Sequence, residues 1–206
     1  EMDMRVTKDR VLIINHDRNF KRYYGVDSAV SVMNWDHIQQ LKSSKGSRVL
    51  SLDQVFARCR EGHIQVMLDT KFEGYDTGLF NQILRLLDKY DLREHALMIG
   101  TDSSTDFFTG KVRLSCTRRQ LEDNSLKAGY DPAHYYLFGG VKDIQAGDTQ
   151  WAEQKGIMVV AAVNLFTYRR RPDYLKEAAA DIETLKARGV RRFQIDSNFY
   201  SAFFTK

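Results

Sequence analysis

The sequence predicts an α/β fold built on parallel strands. Short β-rich runs alternate with amphipathic helical stretches from end to end, and such alternation produces a parallel sheet covered by helices. No linker, repeat or low-complexity tract interrupts it, and the 206 residues contain only two prolines. Seven strand-like runs stand out, at roughly 1–6, 63–70, 95–101, 111–116, 134–138, 157–164 and 191–196. A (β/α)8 barrel has one strand more and normally takes about 250 residues, so this chain is about one strand–helix unit short. A doubly wound open sheet also fits the alternation. No Gly-rich phosphate loop follows any strand, however, and Phe138-Gly139-Gly140 is too weak a signal to supply one.

The elements justify themselves in order. In Glu1-Met2-Asp3-Met4-Arg5, strand alternation puts Glu1, Asp3 and Arg5 on one face. A turn at Thr7–Asp9 then returns the apolar run "VLII" as a second arm ending in His16. Ser51-x-x-Gln54 is a capping box ahead of Leu52, Val55, Phe56 and Cys59 at helical spacing. In "HIQVMLDTK", Ile64, Val66 and Leu68 face one way, and Gln65, Met67, Asp69 and Lys71 the other. Thr77 is placed to cap a helix carrying Phe80, Ile83, Leu84 and Leu87. Pro172 suits a first helical turn, Leu175, Ala179, Ile182 and Leu185 form its apolar stripe, and Gly189 stops it.

Composition narrows the function classes. With 43% hydrophobic and 28% charged residues, the chain can bury one good-sized core, read as a single domain over 1–206. It contains no apolar run of membrane-spanning length. Cys59 and Cys116 lie in apolar stretches and read as reduced core residues. The net charge of +4 suits an anionic substrate or a phospholipid surface. Arg169-Arg170-Arg171, after the seventh strand, is the run expected to meet an anionic headgroup or make a peripheral membrane contact. No basic stripe interleaved with aromatics is present, which sets nucleic acid aside.

The chemistry gathers at the first strands. Asp69 and Lys71 end their strand, where a barrel carries its active site, and Glu1 and Asp3 face the same interior. Three inward carboxylates cannot all stay ionised without a cation, because desolvation and mutual repulsion are both costly. Oxygen-only ligation points to Mg²⁺ or Ca²⁺. His16 arrives beside them as a candidate general acid or base.

These residues form a pattern that resembles the glycerophosphodiester phosphodiesterases. It runs Glu1-Met2-Asp3, Thr7-Lys8-Asp9, an apolar stretch, His16-Asp17 and then Arg22. The resemblance continues through "NWDHIQQLK", "VLSLDQVF" and the strand ending in carboxylate-x-Lys. It returns at "VVAAVN", with Asn164 in place, and "GVRRFQIDS", with Asp196 in place. The resemblance implies a (β/α)8 barrel entered at its second strand, with the first strand, first helix and a partner catalytic histidine lying ahead of Glu1. It implies a divalent metal held by Glu1, Asp3 and Asp69, catalysis by His16 and Lys71, and substrate contacts from Arg22 and Asn164. The substrate would be a small-molecule or lipid phosphodiester.

The chain departs from the family in its middle stretch, in lacking the Trp commonly found before Val163-Asn164, and at Asp69. Asp69 stands where the family usually has Glu, which shortens the ligand's reach by about 1.5 Å. The related sphingomyelinase D phospholipases use Asp-x-Lys there, so a phospholipase of that kind is the alternative enzyme. A non-catalytic barrel that binds phosphate or lipid headgroups is the alternative outside enzymes.

Overall fold

The computed structural model describes residues 1–204. They fall into two compact units, Glu1–Leu114 and Ser115 onward. The first unit opens with β1 (Met2–Val6), whose Met4 is fully buried, and returns as the antiparallel β2 (Leu12–Ile14). The Thr7-Lys8-Asp9 run builds the turn between them. Thr7 Oγ1 donates to Asp9 Oδ1 at 2.5 Å and accepts from the Val11 amide at 2.9 Å. The same Asp9 oxygen accepts the Trp35 amide at 3.0 Å. The Thr7 hydroxyl, with Trp35 behind it, holds the Asp9 carboxyl below the ordinary carboxylate range.

A small appendage follows. β3 (Asn19–Phe20) and β4 (Val26–Ala29) form a two-stranded ribbon around the single turn α1 (Lys21–Tyr24). After α2 (Trp35–Ile38), β5 (Leu50–Ser51) pairs with β2. Ile13, Phe20, Val30, Ile38 and Val49 make a core of their own here. The helix expected across "NWDHIQQLK" is only one turn, because the chain enters a bridge between Lys42 and Arg48 soon after it.

The capping box starts α3 (Leu52–Glu61): Ser51 Oγ accepts the Gln54 amide and Gln54 Oε1 accepts the Ser51 amide. Then come β6 (Met67–Thr70), α4 (Thr77–Lys89), β7 (Leu97–Ile99), α5 (Asp102–Phe108) and β8 (Arg113–Cys116). β6 lies parallel between β1 and β7, and β7 is parallel to β8.

Local chemistry moved two boundaries. The strand expected from 63 begins at Met67, because α3 ends in a Schellman motif. His63 adopts a left-handed φ of 51° and its amide bonds to Arg60 O, while the Ile64 amide closes on Cys59 O. Ile64 is therefore 59% exposed instead of facing the core with Val66 and Leu68. Asp76, not Thr77, caps α4, accepting the Leu79 amide at 3.1 Å. The α4 terminus repeats the Schellman arrangement with Asp91 at φ 55°.

The second unit alternates in the same way. α6 (Arg118–Ser125) leads to β9 (Tyr135–Gly139), α7 (Asp148–Gln154) to β10 (Met158–Val163), and α8 (Leu165–Tyr168) and α9 (Tyr174–Ala187) to β11 (Phe193–Ile195), with α10 (Ser201–Phe204) after it. β10 is parallel to both β9 and β11. β9 must end in glycine, since a Cβ on Gly139 would lie 2.5 Å from the Asp143 Cβ. The α9 stripe is Ala178, Ile182 and Leu185, while Leu175, expected in it, is 49% exposed in the first turn. Gly189, at φ 90°, ends α9 as its sequence implied. Cys59 and Cys116 are free and buried, and burial pushes the Cys116 thiol up to about 11.

Phe80 joins α4 to its surroundings. It is fully buried, with ring centroids of Phe107 and Phe108 at 5.1 and 5.2 Å and those of Tyr75 and Phe72 at 5.7 and 6.3 Å. Phe80→Ala is expected to cost about 3–5 kcal/mol in urea unfolding. A cost under about 1 kcal/mol would show that the ring cluster does not support α4.

Candidate active site

The parallel register of β1 and β6 pairs Met2 with Leu68, Asp3 with Asp69 and Met4 with Thr70. Alternation then buries Met4 and Leu68 and turns Asp3 and Asp69 side by side onto the opposite face. Glu1 is exposed, but its carboxyl reaches the same place. One oxygen from each of Glu1, Asp3 and Asp69 lies within 4.8 Å of the others.

Lys71 is the counter-charge. Its Nζ donates to Asp69 Oδ2 at 2.6 Å and lies 3.4 Å from Asp3 Oδ1. Burial raises Asp69 above the ordinary carboxylate range, against the pull of Lys71 and with a further push from Asp3. Burial and Asp3 raise Glu1 likewise. Burial pulls Lys71 down, but its bonds to Asp69 and Asp3 outweigh that and leave it above its ordinary value. Three hard oxygen donors at this spacing fit one divalent cation, since bonds of about 2.0–2.6 Å let one ion touch atoms up to about 5 Å apart.

His16 follows the buried end of β2 and is exposed. Its Nδ1 lies 2.8 Å from Asp17 Oδ1, so a Nδ1–H donated there leaves Nε2 bare for proton transfer. Its charge is close enough to favour ionised Asp69. Asn15 steadies the arm by donating to Asp17 O at 2.6 Å.

Arg5 ties the arm to the cluster. Its Nη2 and Nε donate to His16 O at 2.6 and 3.0 Å, and its Nη1 donates to Lys71 O at 3.0 Å. Burial, then the like charge of Arg18, lowers the Arg5 guanidinium from its ordinary value. The signal for Arg5 was already in the alternation that put it on the Glu1–Asp3 face. Arg18 carried no such signal, because loop geometry alone brings it near.

Two of the anticipated residues are described by their own surroundings. Arg22 is exposed on α1, its guanidinium 4.9 Å from the Tyr23 ring centroid, and has no bond to the cluster among the described contacts. Asn164 belongs to the second unit, directly after β10, and its Oδ1 is buried without a hydrogen-bond partner. Asp196 Oδ2, also in that unit, accepts the Leu165 amide at 2.6 Å and fixes the start of α8. In the arginine run, Arg171 is paired with Glu177 and set against the Tyr168 ring, while Arg169 and Arg170 are exposed.

Residues 1–79, which contain every part of this cluster, match the glycerophosphoryl diester phosphodiesterase family. The match covers the first 79 of the 206 residues. No curated protein matches it. Solved structures of glycerophosphodiester phosphodiesterases share its fold. The enzyme from Agrobacterium tumefaciens superposes with a TM-score of 0.72 at 15% identity, over 98% of this chain and 85% of that one. One from Parabacteroides distasonis gives 0.69 at 19% identity, over 94% and 70%. A phosphodiesterase from Oleispira antarctica, solved with the product sn-glycerol-3-phosphate, gives 0.68 at 13% identity, over 98% and 83%. The fold is therefore α/β of the (β/α)-barrel class, as the strand–helix alternation implied.

The raised carboxyl of Asp69 has a consequence for stability. The folded protein holds that proton to higher pH than the unfolded chain does, so its contribution is full below the ordinary carboxylate pKa and is lost as pH rises through the raised value. Asp9, Asp53 and Asp76, all lowered, work the other way and at lower pH. In metal-free buffer, stability from urea unfolding should thus show a downward step with pH just above the ordinary carboxylate range. Asp69→Asn should flatten that step, and an unchanged slope would assign it elsewhere.

Proposed function

We propose that this protein is a metal-dependent phosphodiesterase acting on glycerophosphodiester-type substrates. One observation carries the reading: Glu1, Asp3 and Asp69 converge within 4.8 Å, with Lys71 bonded into the cluster and His16 tethered beside it. Fully ionised, three carboxylates and one ammonium leave two negative charges, which a divalent cation balances. Glu1, Asp3 and Asp69 are the residues that would hold Mg²⁺ or Ca²⁺. When bound, such an ion supplies Lewis-acid stabilisation of charge on a phosphoryl oxygen.

The chain's own groups do the rest. Lys71 Nζ, shared between Asp69 and Asp3, is placed to meet negative charge growing on the phosphoryl group. His16 Nε2, its ring oriented through Nδ1 by Asp17, moves the proton of the attacking or leaving oxygen. Arg5 keeps the His16 and Lys71 backbones at a fixed separation, which orientation-dependent catalysis requires. The family match over 1–79 and the fold shared with the phosphodiesterase that binds sn-glycerol-3-phosphate support a small phosphodiester as substrate.

Hydrolysis of glycerophosphoglycerol, whose alcohol carries no charge, read as released sn-glycerol 3-phosphate and glycerol, tests the proposal. EDTA should abolish the rate and Mg²⁺ or Ca²⁺ should restore it. His16→Ala should lower kcat by about 10²–10⁴. A chelator-resistant rate, or a His16→Ala variant at full speed, overturns the mechanism. Because Asp69-Thr70-Lys71 also suits a sphingomyelinase D-like phospholipase, choline release from sphingomyelin vesicles is the parallel assay. A rate there above that on glycerophosphoglycerol would select that enzyme.

Metal binding itself should appear in stability. At about 100 times its Kd, a divalent cation should raise unfolding free energy by about 2.7 kcal/mol. Asp3→Asn should remove that increment, and a variant that keeps it would place the ion elsewhere.

A further inference from the structure

Beside the carboxylate cluster the first unit carries an open cavity of about 470 Å³, within the range of small-molecule sites. Lys71 lines it and also bonds into the cluster, so cavity and cluster are continuous. Its other charged walls are Arg5, Arg18, Glu73 and Asp76. These charges are unequally spent. Asp76 caps α4 and pairs with Arg10 at 2.8 Å. Lys71 is committed to Asp69 and Asp3. Arg5 bonds only to carbonyl oxygens among the described contacts, and Asp3, Asp17 and Asp69 lie near enough to offset part of its charge. Among the described residues the Arg18 side chain pairs with Glu73 alone, at 3.4 Å, and both side chains are more than 80% exposed. A contact of that kind contributes little and is easily exchanged.

We propose that this cavity receives the alcohol portion of the diester and selects alcohols bearing a negatively charged substituent. The inference rests on the phosphodiesterase reading and adds a substrate class to it. With the phosphodiester at Lys71, its alcohol extends past Phe72 toward Arg18, the least committed of the cationic walls, with Arg5 beside it. A phosphate or carboxylate on that alcohol displaces Glu73 from Arg18 and forms a charge-assisted contact. A cationic alcohol meets two guanidinium groups and is disfavoured.

Two substitutions at exposed positions test this with opposite signs. Glycerophosphoinositol and glycerophosphoinositol 4-phosphate differ only by one anionic group on the alcohol. The wild-type protein should favour the phosphorylated diester in kcat/KM by about three- to tenfold, with the ratio shrinking at high salt. Arg18→Glu should abolish or invert the ratio, whereas Glu73→Gln should enlarge it. Calorimetric titration of the same two compounds should give the same order of affinities. If both variants keep the wild-type ratio, the inference is wrong even where hydrolysis proceeds. If no diester is hydrolysed but the affinities keep their order and respond as stated, the cavity assignment stands and the enzymatic reading falls. Equal affinities overturn the assignment. Vesicles containing phosphatidylinositol or its 4-phosphate, compared with the soluble pair, tell whether the anionic group is met on a lipid or on a free diester. A preference for the phosphorylated form is required in whichever arm binds.

Discussion

Everything in the candidate site hangs on the register that sets Asp3 of β1 beside Asp69 of β6. Two carboxylates on adjacent strands repel, and burial adds to the cost of ionising them. What holds the register is on the other face, where Met4 and Leu68 are fully buried and would be turned to solvent by a one-residue slip. Apolar packing thus forces together charges that would otherwise separate. Lys71, two residues beyond Asp69, limits the cost. The site is strained electrostatically and firm mechanically, as expected where geometry must be kept against charge repulsion.

Much of this was legible in the sequence because it depends on short-range rules. Strand alternation put Glu1, Asp3 and Arg5 on one face, and the same rule put Asp69 with Lys71. The capping box at Ser51 and the Gly189 stop were read from residues whose chemistry has few other uses. The misread boundaries have local causes. His63 takes the left-handed position usually given to glycine, so nothing in its identity announced the turn that delays β6 to Met67. Asp76 beside Thr77 offered two caps, and the carboxylate that also meets Arg10 is the one used. Arg22 was read from its place after His16, and its guanidinium lies over the Tyr23 ring. Arg18 reaches the cavity wall by a loop path that no periodicity describes.

Arg5 shows how one side chain converts a sheet into a site. A guanidinium offers several donors in a rigid plane, and here three contacts lock carbonyl oxygens from two separate segments. A lysine could satisfy one carbonyl but not span both. The Thr7–Asp9 turn does the complementary work from the far side, tying β1, β2 and α2 through one hydroxyl and one carboxylate. The imidazole is therefore exposed while its backbone is not free, so the ring can meet a ligand without the arm wandering.

The appendage between β2 and β5 has its own core of Ile13, Phe20, Val30, Ile38 and Val49, separate from the packing under β1 and β6. That separation divides labour along the chain. Residues from 18 to 31 supply one wall of the cavity, yet none of them contributes to the β1–β6 register. Mutations there can remodel which ligands are admitted while the charged centre keeps its shape. Such a layout lets a lineage change its diet by drift in one short segment, without rebuilding the machinery that the segment serves.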